Sequence, residues 1–460
     1  MIRIFRVFIP ASVVGLLVSE ILLVLACYWV AGYGTLNVAP YFYFFALNNY
    51  WKICVITACI ILVLYFEDLY THLRVTSRLL LVQQVCLAVG CGLLVMAVLG
   101  YLRPELLLGR WLLCVGSLEV IVVLPLWRTF YWRYIIGGLG SERVLLLGNS
   151  SILGEVIAHI DQHPEFGYTL LGYLCEGSPC TFPIPCLGTV DEVREVTKEY
   201  RATRIVVGMA ERRNRLPVQQ LLDIRFTGIM IEDVADTYEI AMRRVCSRQI
   251  QPSQLIFSSA LGPRTHAIAL QNFYSFLAAA AGLVAGSPLM LLTATLVKVS
   301  SKGPVLYRQK RVGKNGTVFT VYKFRSMYAD AEEHSGPVWA KIDDPRITPI
   351  GRWLRRLRLD EIPQLWNVLR GDMALVGPRP ERPEFVELLS HQIPYYPQRH
   401  AVKPGITGWA QINHKYGDSE LDAMIKLEYD LYYIKNLAPA LDFYIIFHTI
   451  KVMLLSRGAQ

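Results

Sequence analysis

Residues 267–297 read AIALQNFYSFLAAAAGLVAGSPLMLLTATLV, 31 residues without a formal charge. That exceeds the roughly 20 residues a helix needs to cross a bilayer. Ser287-Pro288 stands inside the stretch. Proline removes a backbone donor and its ring clashes with the preceding turn, so a break or kink is expected there. Arg264 precedes the stretch, and Lys298 and Lys302 follow it. Both ends therefore prefer the same side of a membrane. The economical reading is a re-entrant helix that dips in, breaks at Ser287-Pro288 and returns, with the Ser287 hydroxyl serving backbone left unpaired. On these features alone a kinked single span stays open, which would put the flanking domains in different compartments.

The rest of the chain supports a membrane protein. Of 460 residues, 53% are hydrophobic and only 18% charged, and the mean hydropathy is +0.35. High apolar content without a low-complexity tract excludes a disordered or fibrous chain. Six of the ten Cys lie before residue 115 in apolar runs and none follows Cys246, which argues against a disulfide scaffold. Four apolar stretches, about Phe8–Val30, Phe42–Phe66, Leu79–Leu102 and Trp111–Trp127, occupy residues 1–140. They read as transmembrane helices; the fourth is the shortest and contains Glu119, and Glu20 in the first needs a polar neighbour. No A-x-A-type site follows the first, which sets a cleaved signal peptide aside. Arg3, Arg6, Arg74, Arg78, Arg128, Arg133 and Arg143 place the N-terminus, the 67–78 loop and everything after 140 in the cytoplasm, against Arg103 and Arg110 on the other side.

From residue 141 to 250 the chain reads as a Rossmann-like α/β domain. Arg143–Leu147 is a short apolar run that ends in a turn from Gly148 to Gly154, and a helical pattern follows. The turn lacks the second glycine that lets a backbone approach a pyrophosphate, so a scaffold or dimerisation role is favoured over nucleotide binding. Cys175, Cys180 and Cys186 have the wrong spacing for paired metal ligands.

Residues 251–460 hold the chemistry. Between Ser301 and Asp360 stand 13 Lys or Arg against six Asp or Glu. Behind a membrane-dipping segment, such a run fits anionic headgroups or phosphorylated substrates better than nucleic acid. Leu359 to Gly371 then fits a short helix with Pro363 in its first turn and Gly371 at its end. Asp360 and Glu361 sit at its N-terminus, where unpaired backbone N–H groups favour ionised carboxylates. An isolated Asp-Glu pair there would be plain capping, but Gly377-Pro378-Arg379-Pro380 follows. An arginine between two prolines is a preorganised phosphate donor.

Five motifs stand in succession: Lys323-Phe324-Arg325-Ser326-Met327, Leu359-Asp360-Glu361-Ile362-Pro363-Gln364, Asn367 to Met373, Val376-Gly377-Pro378-Arg379-Pro380 and Lys403 to Gln411. In this order they resemble the motifs of bacterial polyprenyl-phosphate phosphoglycosyl transferases, over about residues 265–460. The four N-terminal helices and Rossmann-like domain are similar to the large exopolysaccharide-type members. The resemblance implies transfer of a sugar-1-phosphate from a UDP-sugar, such as UDP-glucose or UDP-galactose with GalNAc-type donors left open, to undecaprenyl phosphate, with release of UMP. It implies a monotopic catalytic domain on the cytoplasmic face of the bacterial inner membrane and a homodimer. It makes Asp360 the nucleophile of a covalent phosphosugar intermediate and Glu361 its partner, with Mg²⁺ bound near the two. Lys323, Arg325 and Arg379 are the candidates for holding phosphate.

The family's helix break matches Ser287-Pro288, but its usual Lys-Arg at the start of that helix is replaced by Leu270-Gln271-Asn272. Headgroup anchoring at that end is expected either to be weaker or to fall to Arg264. Asp372 and Glu381 flank the Arg379 motif and are further metal candidates. His391, His400 and His414 read as structural, Tyr416, Tyr429, Tyr432 and Tyr433 as packing aromatics, and 441–455 as an interfacial or core helix. Two rivals remain, a glycosyltransferase that releases UDP and a membrane-anchored nucleotide-sensing scaffold.

Overall fold

The computed structural model describes residues 2–36, 39–46, 49–70, 73, 77–136, 142–175, 182–209, 215–249, 265–328, 331, 344–414 and 419–454. Arg74, Cys180, Arg264, Tyr416 and the last residue of the 441–455 stretch lie outside them. The chain divides into two compact units, residues 1–3 with 8–237 and residues 4–7 with 238–460.

The first unit opens with α1 (Ala11–Thr35), α2 (Tyr50–Phe66), α3 (Arg78–Leu102) and α4 (Arg110–Phe130). α1, α3 and α4 with its π-helical extension to Ile136 are each long and apolar enough to cross a membrane. The fourth stretch, expected to be the shortest, makes a 27-residue helix with that extension. The second is the short one, because its apolar residues are split between a π-helical turn at Phe42–Ala46 and the 17 residues of α2. Asn49 stands at the division and its side-chain amide donates to the Tyr43 carbonyl. Glu20 is completely buried and has the partner it requires. Arg128 Nη2 donates to it at 2.8 Å, the Tyr70 hydroxyl donates at 2.5 Å, and Arg128 Nη1 donates onward to the Leu69 carbonyl. A buried charge is tolerated only when paired and hydrogen-bonded in this way.

Five parallel strands follow: β1 (Glu142–Leu147), β2 (Tyr168–Cys175), β3 (Cys186–Thr189), β4 (Arg204–Val207) and β5 (Met230–Asp233). Their order across the sheet is β3-β2-β1-β4-β5. Parallel neighbours need crossovers, and the helices α5 (Ser151–Gln162), α6 (Val193–Glu199) and α7 (Val218–Phe226) lie between strands in sequence. α8 (Val234–Met242) follows β5. Gly148 has φ +100°, and a Cβ there would stand 2.7 Å from the Gly208 carbonyl oxygen. A Cβ on Gly154 would meet the Phe182 ring at 3.4 Å. Backbone conformation and close packing thus account for Gly148, whereas a Cβ at Gly154 would make only an ordinary contact.

The second unit takes in Tyr238–Gln249, which the sequence reading had joined to the middle domain. The reason is Glu428, fully buried, which accepts from the Tyr238 hydroxyl, the Ser247 N–H and the Ser247 hydroxyl at 2.9–3.0 Å. α9 (Thr265–Ser300) then precedes an antiparallel hairpin of β6 (Leu306–Val312) and β7 (Val318–Phe324). After it come α10 (Pro349–Arg356), a 3₁₀ turn at Leu359–Glu361, α11 (Gln364–Arg370), β8 (Ala374–Val376), α12 (Pro383–Gln392) and a 3₁₀ segment at Tyr396–Ala401. The unit closes with β9 (Gly405–Thr407), parallel to β8, and α13 (Trp409–Asn413), α14 (Glu420–Asn436) and α15 (Pro439–Leu454).

α9 is helical through Ser287-Pro288. Pro288 cannot donate to the Val284 carbonyl four residues back, and the Ser287 hydroxyl donates to that oxygen instead, at 2.8 Å. The backbone acceptor that proline orphans is thereby satisfied, so hydrogen bonding does not force the two halves apart. The buried positions of α9 are Gln271, Ser275 and Ala279 in its first half and Thr293 and Val297 in its second. Ala279 packs with Val321, Val368 and Met373. Val297 packs with Phe324 and Leu354.

Candidate active site

The site is built where β7, the 3₁₀ turn before α11 and the loop after β8 converge. Val321 on β7 packs in the core beside Val368 of α11. Lys323 lies two residues further on the same strand face, and its Nζ donates to Glu361 Oε1 at 2.9 Å. Asn367 straps the two elements together, accepting from the Tyr322 N–H at 3.2 Å and donating to the Thr320 carbonyl at 2.7 Å. Arg358, just before the turn, has a left-handed backbone at φ 55°. For a non-glycine residue that conformation costs of order 1 kcal/mol, and it reverses the chain ahead of the two carboxylates. Its guanidinium stands 3.4 Å from Glu361 Oε2.

Arg379 arrives from the other side. β8 and β9 pair Ala374 with Gly405 and Val376 with Thr407, which draws the Gly377–Pro380 and Lys403–Gln411 motifs together. The crossing is so close that a Cβ on Gly377 would stand 2.4 Å from the Lys403 carbonyl oxygen, and one on Gly408 2.2 Å from that of Gly377. Only glycine fits such an approach. Arg379 Nη2 then reaches Glu361 Oε1 at 3.2 Å.

The adjacent carboxylates differ in state. Glu361, 8% exposed, is held well below the usual carboxylate range, because Lys323, Arg379 and Arg358 together outweigh the upward push of burial. Asp360 is 7% exposed, and burial together with the Glu361 charge pushes it up to about 6, against the pull of Lys323, Arg355 and Arg358. No side-chain hydrogen bond reaches the Asp360 carboxylate among the described residues, so it is the open member of the pair. A carboxylate without a hydrogen-bond partner among cationic side chains can attack phosphorus or meet a hard cation. No cluster of three His, Cys, Asp or Glu able to hold a metal occurs among the described residues.

Four of the five residues expected at the site, Asp360, Glu361, Lys323 and Arg379, are brought together. Arg325 is placed elsewhere. It is 5% exposed and donates to the carbonyls of Ser301 and Lys302 at 2.7 and 2.8 Å and to the Ser301 hydroxyl at 2.9 Å. Its guanidinium caps the C-terminal end of α9. Arg358 was visible in sequence only as one member of a basic run. Glu381 lies beside Arg311 and Asp372 beside Arg370. Gln271, expected as a weakened headgroup anchor, is instead buried and donates to the Val376 carbonyl, the Tyr433 hydroxyl and Asp442.

This combination of apolar helices and a buried Asp-Glu pair ringed by Lys323, Arg358 and Arg379 is that of a membrane-associated sugar-phosphate enzyme class, and the comparisons agree. A family model described as bacterial sugar transferase matches residues 266–456. The UDP-glucose:undecaprenyl-phosphate glucose-1-phosphate transferase of Xanthomonas campestris pv. campestris is 33% identical over 344 residues, 72% of this chain and 70% of that protein. The UDP-N-acetylgalactosamine-undecaprenyl-phosphate N-acetylgalactosaminephosphotransferase of Aeromonas hydrophila is 50% identical over 184 residues, 40% of this chain. The undecaprenyl-phosphate glucose phosphotransferase of Komagataeibacter xylinus is 48% identical over 182 residues, 38% of this chain. The chain covers 43% and 34% of the length of these last two. It belongs to the bacterial sugar transferase family, among relatives that are polyprenyl-phosphate phosphoglycosyl transferases.

Proposed function

We propose that this chain transfers a sugar-1-phosphate from a UDP-sugar to undecaprenyl phosphate and so starts an exopolysaccharide or related glycan. The observation that carries the reading is the unequal carboxylate pair, with Glu361 saturated by Lys323, Arg379 and Arg358 and Asp360 left open. An Asp360 oxygen attacks the β-phosphorus of the UDP-sugar. The bond from that phosphorus to the bridging oxygen breaks, and UMP leaves with the oxygen. A phosphate oxygen of undecaprenyl phosphate then attacks the same phosphorus, the bond to Asp360 breaks, and the carboxylate is regenerated beside polyprenyl-diphosphate-sugar. Two displacements let a soluble donor and a lipid acceptor use one site in turn.

Lys323 and Arg379 orient Glu361 in the resting site and are close enough to the pair to hold the phosphate oxygens as charge builds on them. Mg²⁺ takes hard oxygen ligands and needs few from protein. The open Asp360 carboxylate would hold the ion, with the Glu361 charge beside it. When bound, the ion would neutralise diphosphate charge that three basic side chains cover only in part.

Relatives named for glucose and for N-acetylgalactosamine leave either donor class as a substrate here. The order of the five parallel strands supports a Rossmann-like reading of the middle domain. The close backbone packing at Gly148, with no second glycine for a pyrophosphate, supports an assembly role, as in a homodimer. α9 has 36 residues and would be roughly 54 Å long if straight. Residues in both of its halves pack on one catalytic domain, which supports a re-entrant course over a span that separates the flanking domains, with the domain on the cytoplasmic side of the inner membrane.

The test is nucleotide release by purified full-length protein with Mg²⁺, undecaprenyl phosphate and a UDP-sugar panel, beside Asp360→Asn and Glu361→Gln. UMP release that is lost in Asp360→Asn, with a gain of one sugar phosphate in the mass of the wild-type protein before lipid is added, is the expected result. Release of UDP would refute the covalent route and make the chain a glycosyltransferase. Turnover of no donor by folded protein would favour a scaffold.

A further inference from the structure

The Arg379 loop is held by a second, wholly buried arginine that does not touch the carboxylate pair. Arg399 is 5% exposed and lies in the 3₁₀ segment before β9. Its Nη2 pairs with Asp430 of α14 at 2.8 Å and donates to the main-chain carbonyl of Arg379 at 3.1 Å. Its Nη1 donates to the Tyr396 hydroxyl at 2.5 Å. Asp430 is itself 1% exposed. Burial pushes its carboxyl up to about 6 even against the Arg399 charge, so the pair is not an inexpensive source of stability, and buried ion pairs seldom are.

Proline on each side restricts the backbone of this loop. Pro378 and Pro380 have fixed φ angles, and Pro380 bars Arg379 from helical conformations. Within the extended range this leaves, the peptide plane after Arg379 can still tilt, and its carbonyl is the group Arg399 holds. Beyond it, Arg311 Nη1 donates to the Pro380 carbonyl at 2.9 Å. We propose that Arg399 is a positioning residue of the transferase site, aiming the Arg379 guanidinium at Glu361 by fixing the Arg379 carbonyl from α14. The inference deepens the proposed function and rests on it for its kinetic readout.

A double-mutant cycle tests it. UMP release by full-length wild type, Arg399→Lys, Arg379→Lys and the double variant is measured across UDP-sugar concentrations. Lysine keeps the charge opposite Asp430 but lacks the planar fork that serves three partners at once. Arg399→Lys should lower kcat/KM by about tenfold. If Arg399 acts through Arg379, the double variant should be no worse than Arg379→Lys within about twofold. Effects that multiply, or full activity in Arg399→Lys, would overturn the proposal. Should Arg399→Lys fail to fold, Tyr396→Phe carries the cycle. It removes one hydroxyl partner of Arg399, and a loss of roughly threefold that vanishes beside Arg379→Lys is expected.

Hydrogen exchange separates failure of this inference from failure of the functional reading. In the chosen variant, peptides covering 374–385 should exchange about tenfold faster while those covering 420–436 keep their protection. That result would hold even if no UDP-sugar were turned over. Unchanged exchange at 374–385 would refute the positioning role in an active enzyme and an inactive protein alike.

Discussion

Arg325→Lys decides between two roles for a motif arginine. A phosphate ligand replaced by lysine should chiefly raise KM for the nucleotide sugar, leaving the fold intact. The structure gives Arg325 another task, since its guanidinium serves Ser301 O, Ser301 Oγ and Lys302 O at 2.7–2.9 Å and approaches Val297 O at 3.4 Å. Lysine is a compact point charge, and from that position its ammonium can satisfy one or two of these acceptors. At least one carbonyl at the end of α9 loses its partner, at about 1–3 kcal/mol each. Lost packing of the planar group brings the total to about 2–4 kcal/mol. For a domain of this size 1 kcal/mol moves the midpoint by about 2–4 °C, so a fall of roughly 5–15 °C is expected. Thermal unfolding of the purified protein in detergent measures it, with KM for the active UDP-sugar determined on the same sample. KM should stay within about twofold of wild type. An unchanged midpoint with a tenfold higher KM would refute the capping role and return Arg325 to the phosphate.

Three further outcomes follow from polar side chains. Arg128→Met strands Glu20 among apolar helices and should destabilise by about 3–5 kcal/mol, whereas Glu20→Gln with Arg128→Met should recover most of that loss in the same unfolding assay. His400 is held down to about 4 by burial and the Arg399 charge, while burial lifts Asp430 to about 6. Between pH 4 and 6 the unfolded chain therefore binds the His400 proton that the folded chain lacks, and stability on that account falls with acid. The folded chain keeps the Asp430 proton that the unfolded chain gives up, and stability on that account falls with base. The two slopes oppose each other, so His400→Asn should make the protein relatively more stable toward pH 4, and Asp430→Asn relatively more stable toward pH 6, in midpoints followed across that range. Ser287→Ala leaves the Val284 carbonyl unpaired at a cost of about 1 kcal/mol. Ser287→Ala with Pro288→Ala should regain it, because alanine restores the missing N–H, and equal midpoints for the single and double variants would refute that account.

What the sequence disclosed and what it hid divide by the range of the interaction. The apolar stretches announced α1 to α4 and α9 because burial in lipid is a property of the stretch itself. The 3₁₀ turn and α11 were legible for a similar reason, since Pro363 can only begin a helix and Gly371, at φ +84°, can readily end one. The dyad and Arg379 were recognised through the order of their motifs, and the fold brings them within hydrogen-bonding reach. Side chains whose partners lie far along the chain were misjudged. Arg128 counted as a flanking charge that orients a helix, although 108 residues separate it from the Glu20 it neutralises. Gln271 looked like a lost headgroup anchor, yet its amide serves groups more than 100 residues away. Tyr238 and Ser247 seemed to belong with the sheet before them until Glu428 claimed both.

Arg325 shows why motif position is a weak guide to the role of a cation. Lys323 and Arg325 stand two residues apart in one motif, and both carry a donor that a phosphate could use. Burial separates them: Lys323 is shared with an ionised carboxylate facing the site, whereas Arg325 is committed to backbone oxygens at the C-terminal end of α9. A guanidinium suits that task because it is always charged and can satisfy several carbonyls in one plane. The same logic places Arg399 behind Arg379. In this domain one class of arginine faces the carboxylate pair and a second is committed to backbone oxygens. Only the partners of each guanidinium, not its neighbours in sequence, tell the two apart.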